Sequence, residues 1–132
     1  MAKVVKLQDI ADEHGSYAVE AYAFVAEGLR RSGELTGKEE REGEERHLTA
    51  TELVAGVLHL AEERYGLLAG KVLAGWGVLS SDDVGAITYH LIDAGLLGAH
   101  PRDRREDFAH GPIFTTAVKE LVRRRLEVGH GS

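Results

Sequence analysis

Carboxylates, imidazoles and arginines gather at a few places along this chain. Glu20 and Glu27 are the carboxylates of a nearly all-apolar stretch, and seven residues of helix put them on one side. Arg46 and His47 stand just before the next helical segment and reach those acids if the two helices pack. Burial would push such carboxylates up and suit them to acid–base work. The same four residues also suit a structural ion pair closing a helix junction, which is the plainer reading. His59, Glu62 and Glu63 share one helical turn, but a second histidine at metalloprotease spacing is missing. His100, Asp103, Asp107 and His110 are spaced irregularly, and would ligate a metal only if a hairpin folded them together. Charged residues on an exposed turn are the simpler account of that group. The chain has no cysteine, which excludes disulfides, thiol catalysis and cysteine-ligated zinc. It carries no nucleophile elbow and no phosphate-binding glycine motif, so neither a cofactor nor a metal is expected.

The chain that must position these residues has 132 residues, 43% apolar and 29% charged, which fits one domain over 1–132. Its longest nearly apolar run, Leu67 to Leu79, holds 13 residues and includes Lys71. A membrane-spanning helix needs about 20, so no membrane partner is expected. The opening MAKVVKLQDIADEH lacks the long apolar core of a secretory signal, and the expected address is the cytoplasm. The net charge is -6, unevenly spread. Residues 1–95 hold nine Lys/Arg against 17 Asp/Glu, and residues 96–132 hold seven against five. Only the C-terminal third can face a phosphate backbone without repulsion.

Apolar periodicity predicts a mainly α fold of about six helices. A short helix over Lys3 to His14 ends at Gly15. The next has Ser16 as N-cap and Gly33 as its stop, and is apolar almost all round, the mark of a central helix. Residues 33–46 are charged and aperiodic, a solvated loop. Thr49 and Glu52 fit a capping box, with Leu48 and Leu53 as the hydrophobic staple. That helix breaks at Gly66, after which Leu67, Leu68, Val72, Leu73 and Trp76 resume an apolar pattern in a fourth helix. Ser80 caps a fifth, with Val84, Ile87, Thr88, Leu91 and Ile92 inward and Gly95 as terminator. Leu96 to Ala99 and Glu106 to Ala109 read as the strands of a short hairpin within 96–109. Thr115 or Thr116 caps the last helix, and 129–132 form a frayed tail. Gly28, Gly56, Gly70, Gly75 and Gly85 fall inside helical patterns, where each costs about 1 kcal/mol relative to Ala. Close helix–helix contact explains them best.

The blocks AYAFV with EGL, RH with EL, YG, VL before WGV, and D-G-I-L before GLL and DF span roughly residues 17–114. In that order they resemble an uncharacterised family of small bacterial proteins. The chain departs from that pattern at Val84, where an aromatic is usual, and in a longer, more basic C-terminal segment. The resemblance implies a shared fold and supplies no chemistry.

The order of helix four, tight turn, helix five and hairpin is that of a winged helix-turn-helix, and GLLGAHPRDRREDF resembles the wing of MarR-type repressors. Arg102, Arg104 and Arg105 fall at the wing tip, and Arg123, Arg124 and Arg125 form a second basic group. A nucleic-acid-binding regulator would use these six. From Ser80 to Gly95, however, there are three aspartates and no Lys or Arg, so the helix that should enter a groove would be repelled by phosphate. With Val84 inward, Asp82, Ala86, Tyr89 and Asp93 are expected to point outward. An aromatic between acids suits a protein partner. The leading expectation is therefore a non-catalytic protein-interaction or regulatory module using Asp82, Tyr89 and Asp93, and self-association is compatible with it. Nucleic-acid binding, and a small enzyme or metal site at Glu20, Glu27, Arg46 and His47, are the alternatives.

Overall fold

The computed structural model describes residues 6–40, 48–97, 105–109, 111 and 113–130. They form a mainly α fold: α1 (Leu7–His14), α2 (Val19–Thr36), α3 (Ala50–Tyr65), α4 (Ala69–Gly75), α5 (Ser81–Asp93) and α6 (Phe114–His130). Short 3-10 turns at Lys38–Glu40, Gly66–Leu68 and Arg105–Phe108 join or flank them. Among the described residues no helix is long and apolar enough to cross a membrane.

The central contact is α2 on α3. It is close because the facing positions are small. A Cβ built on Gly28 would lie 2.6 Å from Val57 Cγ2, and one on Gly56 would lie 2.6 Å from the Gly28 carbonyl oxygen. Ser32, fully buried, donates its hydroxyl to the Gly28 carbonyl at 3.0 Å. Gly28 and Gly56 therefore serve helix approach, and so do Gly70 against Thr115 and Gly85 against Phe108. Around the seam Tyr22, Val25, Val57, Leu60, Leu73, Ile87 and Leu91 are almost wholly buried. Each such side chain contributes roughly 1.5–3 kcal/mol of burial. Outside it, Arg31–Glu63 at 2.5 Å and Arg64–Glu27 pair α2 with α3, while Arg125–Glu62 at 2.8 Å ties α6 to α3.

The capping box of α3 forms as its spacing requires. Glu52 N–H donates to Thr49 Oγ1 at 3.2 Å, and Thr49 N–H donates back to the Glu52 carboxylate at 2.9 Å. Lys38 reaches the same carboxylate at 2.7 Å, and with Thr49 N–H it holds Glu52 below its ordinary pKa. At α5, the Asp83 carboxylate accepts from Leu79 N–H at 2.8 Å and Ser80 N–H at 3.3 Å.

Several expectations need correction. Ser16 does not cap α2; the helix starts two residues later than expected, at Val19 behind Ala18, whose N–H bonds to the Trp76 carbonyl at 3.1 Å. Gly33 does not stop it either. Gly33 is buried within the helix, which runs on to Thr36 and ends at Gly37 in the left-handed region (φ 71°). The loop predicted from residue 33 thus opens on a helical turn and the 3-10 turn Lys38–Glu40. Leu67 and Leu68 do not join the core; both are exposed, because Gly66 (φ 55°) turns the chain and the 3-10 turn presents them outward. The α6 start lies at Phe114, one residue before the expected cap, since the buried Phe114 is anchored through its N–H to the Leu79 carbonyl at 2.9 Å. The hairpin is corrected too. Residues 105–108 form a 3-10 turn with Phe108 buried against Gly85, and Leu96 and Leu97 are not extended. Among the described residues the β pairing is one isolated bridge, Ser80 with Ile113.

Candidate functional site

A group of aromatic and titratable side chains lies where α1, the start of α2 and the outer turns of α5 converge. Tyr17 donates its hydroxyl to the Asp83 carboxylate at 2.7 Å. Two turns further along α5, His90 Nδ1 meets the hydroxyl of the buried Tyr22 at 2.8 Å. The His90 ring stacks on His14, the last residue of α1, with centroids 3.5 Å apart and planes within 3°. Tyr17 closes edge-on against Tyr22, their centroids 6.2 Å apart.

The reason lies in helix geometry. Asp83 and His90 are seven residues apart on α5 and so share a face. The segment 16–18 is held in place by the Ala18–Trp76 hydrogen bond and by its close approach to Gly77, where a Cβ would lie 2.7 Å from the Ser16 carbonyl oxygen. That fixture aims Tyr17 at Asp83.

Burial and neighbours set the protonation states. Tyr17 is pushed far above its ordinary pKa by burial first, then by the carboxylate it serves. Burial also raises Tyr22. His90 is held below its ordinary value, chiefly by burial and then by His14 and Arg105, against the opposing pull of Asp93 and Glu13. A neutral His90 lets Nδ1 accept from Tyr22, which places the ring proton on Nε2.

The residues expected to act are placed differently. Asp82 and Asp93 are exposed on α5, as expected. Tyr89 and Ala86 are not outward: Ala86 is buried, and Tyr89 packs against the core with its hydroxyl shut off from solvent. α5 meets neighbours on more than one side, so the outer face inferred from Val84 is narrower than its wheel suggests. Glu20 is exposed at the start of α2, and Glu27, one of the expected acids, pairs with Arg64 of α3, a partner the sequence reading did not name. Arg46 and His47 lie outside the described residues, as do Arg102, Arg104, His100, Asp103 and His110. Arg105 is exposed on its 3-10 turn, and Asp107 lines a shallow cleft with Ala50, Val54, Leu58 and Phe108.

The basic run of α6 is engaged within the chain. Arg123 pairs with Glu120 and Glu127, Arg124 with Glu120 at 3.2 Å, and Arg125 with Glu62 at 2.8 Å. His59 stands 4.0 Å from Glu63, which serves Arg31, while Glu62 serves Arg125. Among the described residues no group of three or more His, Asp or Glu is placed to hold a metal ion.

The cluster is not legible from local pattern, because Tyr17 and Tyr22 fall in or beside a helix that reads as apolar almost all round and His14 reads as a helix end. The available signal was the Asp83–His90 spacing on one face of α5, opposite a stretch with two tyrosines. The chain matches no protein-family model, no curated protein and no solved structure, so its functional reading rests on its own residues.

Proposed function

We propose that this chain is a non-catalytic protein-interaction module. Its docking surface is the place where the chain enters α5 and α6, side by side at the Ser80–Ile113 bridge, and its partner is a protein with apolar anchors set among basic residues. The observation that carries this reading is the pair Leu79 and Ile113. They are 56% and 63% exposed, yet both sit in backbone pinned by the Ser80–Ile113 bridge and the Phe114–Leu79 hydrogen bond. Apolar side chains on a backbone that is already fixed spare the cost of ordering that backbone on docking. Exposed Leu67 and Leu68 stand on the turn that packs beside α6, and Leu126 is exposed on α6 itself. Asp82, next to this junction, and Asp93, further along α5, supply negative potential on a chain of net charge -6 and would steer a basic partner. Tyr89, packed against the core, has no part in this surface.

In the winged-helix-like reading of the C-terminal half, α4, the tight turn and α5 keep the helix-turn-helix order, and α5 is the helix that would enter a groove. That helix carries Asp82, Asp83 and Asp93 and no Lys or Arg. The arginines of α6 are already paired with carboxylates. Both facts favour a protein over a nucleic acid.

The test is affinity capture from the source cell extract, with and without nuclease. Wild type is compared with Leu79→Asp/Ile113→Asp, a pair exposed enough to leave folding intact. A protein retained by wild type after nuclease and reduced at least ten-fold by the double variant supports the proposal. Retention that disappears with nuclease, or that the double variant leaves unchanged, refutes it.

A further inference from the structure

The α1 helix is attached to the rest of the fold in two unlike ways. Its inner face packs into the core through its own buried Ile10 and Ala11, and at its C-terminal end His14 stacks on His90. Immediately after His14 comes Gly15 in the left-handed region (φ 70°), and then the fixed segment 16–18. The chain thus has a rigid anchor, a one-residue pivot and a short helix held at its near end by two imidazoles. We propose that α1 is a pH-released strap: it lies closed while the His14–His90 pair carries at most one proton, and swings away about Gly15 when both rings are protonated.

The geometry supplies two separate reasons. Two imidazolium rings 3.5 Å apart and parallel repel each other, whereas a neutral ring stacks well on either a neutral or a charged one. Protonating His90 also turns Nδ1 from acceptor to donor, so the buried Tyr22 hydroxyl must reverse and accept from it, and its own proton loses that acceptor. The charges facing His90 come from every neighbour. His14 and Glu13 are on α1, Tyr17 and Tyr22 approach from the α2 side, Asp93 is on α5, and Arg105 is on the 3-10 turn. Glu13 and Asp93 favour the proton, while burial, His14 and Arg105 oppose it and prevail. The Tyr17–Asp83 bond and the Ala18–Trp76 bond contain no imidazole, so the anchor survives the change that frees the strap.

Hydrogen exchange of the full chain at pH 7.5 and pH 5 tests this, with rates corrected for intrinsic pH dependence. The amides of Ile10 to His14 are expected to lose at least ten-fold protection at pH 5, while those of Val57 to Ala61 in α3 keep theirs. His14→Gln, at an exposed position, should abolish the difference, and His90→Gln should do the same. Equal loss in α1 and α3, no loss in α1, or the same α1 loss in His14→Gln as in wild type would each overturn the proposal.

Discussion

Gly56→Ala is the sharpest test of how the helices meet. The added methyl would lie 2.6 Å from the Gly28 carbonyl oxygen and 2.8 Å from the Ser32 amide nitrogen. Both are backbone atoms of α2, so no rotamer change relieves the contact; α2 and α3 must move apart. Overpacking of this kind costs up to about 3 kcal/mol. Replacing a helical glycine by alanine returns about 1 kcal/mol, leaving a net loss of about 2 kcal/mol. Unfolding entropy near 2.1 cal/mol/K per residue converts that loss to a fall in Tm of about 7 °C for a chain of this length. Gly75→Ala is the matched control. It is also helical, but its methyl meets nothing within 4 Å. It should gain up to about 1 kcal/mol and raise Tm by up to about 4 °C. Calorimetry of the two variants beside wild type decides the matter. A Gly56→Ala protein as stable as Gly75→Ala would refute the close α2–α3 seam.

Tyr22→Phe should cost about 1 kcal/mol in urea unfolding, and by removing the donor to Nδ1 it should raise the His90 pKa, followed by NMR. Glu52, held below its ordinary pKa of 4.5 by Lys38 and the cap, contributes stability above that value that is lost as pH falls through its folded pKa. The urea midpoint of wild type should therefore exceed that of Glu52→Gln at pH 6, and the gap should close below pH 4.5 as the carboxylate takes up its proton. Arg125→Ala removes an exposed pair with Glu62 and should leave Tm within about 2 °C.

Local signals in the chain are sound where the physics is local. Thr49 with Glu52, and Asp83 at the start of α5, satisfy backbone donors within their own turn, so three residues of sequence suffice to read them. Gly15 and Gly66 take left-handed or open backbone that other residues resist, and both end helices. Errors arise where a distant element decides. Ser16 is a good cap residue, but its segment is held by Trp76 and Gly77. Gly33 has the composition of a stop and serves instead as a small residue in a tight helix pair. Tyr89 falls on the outer side of a two-sided wheel, yet its neighbours bury its hydroxyl. The Tyr22–His90 pair joins residues 68 apart in sequence, a distance no periodicity spans.

Site-directed photocrosslinking tests the docking surface most directly. A photoreactive side chain introduced at Ile113, and in a second protein at exposed Arg30 on α2, is irradiated in the native cell extract. A discrete protein adduct that forms from position 113, survives nuclease and is missing from position 30 is the expected outcome. Adducts to nucleic acid from position 113, or the same protein adducts from both positions, would contradict the account.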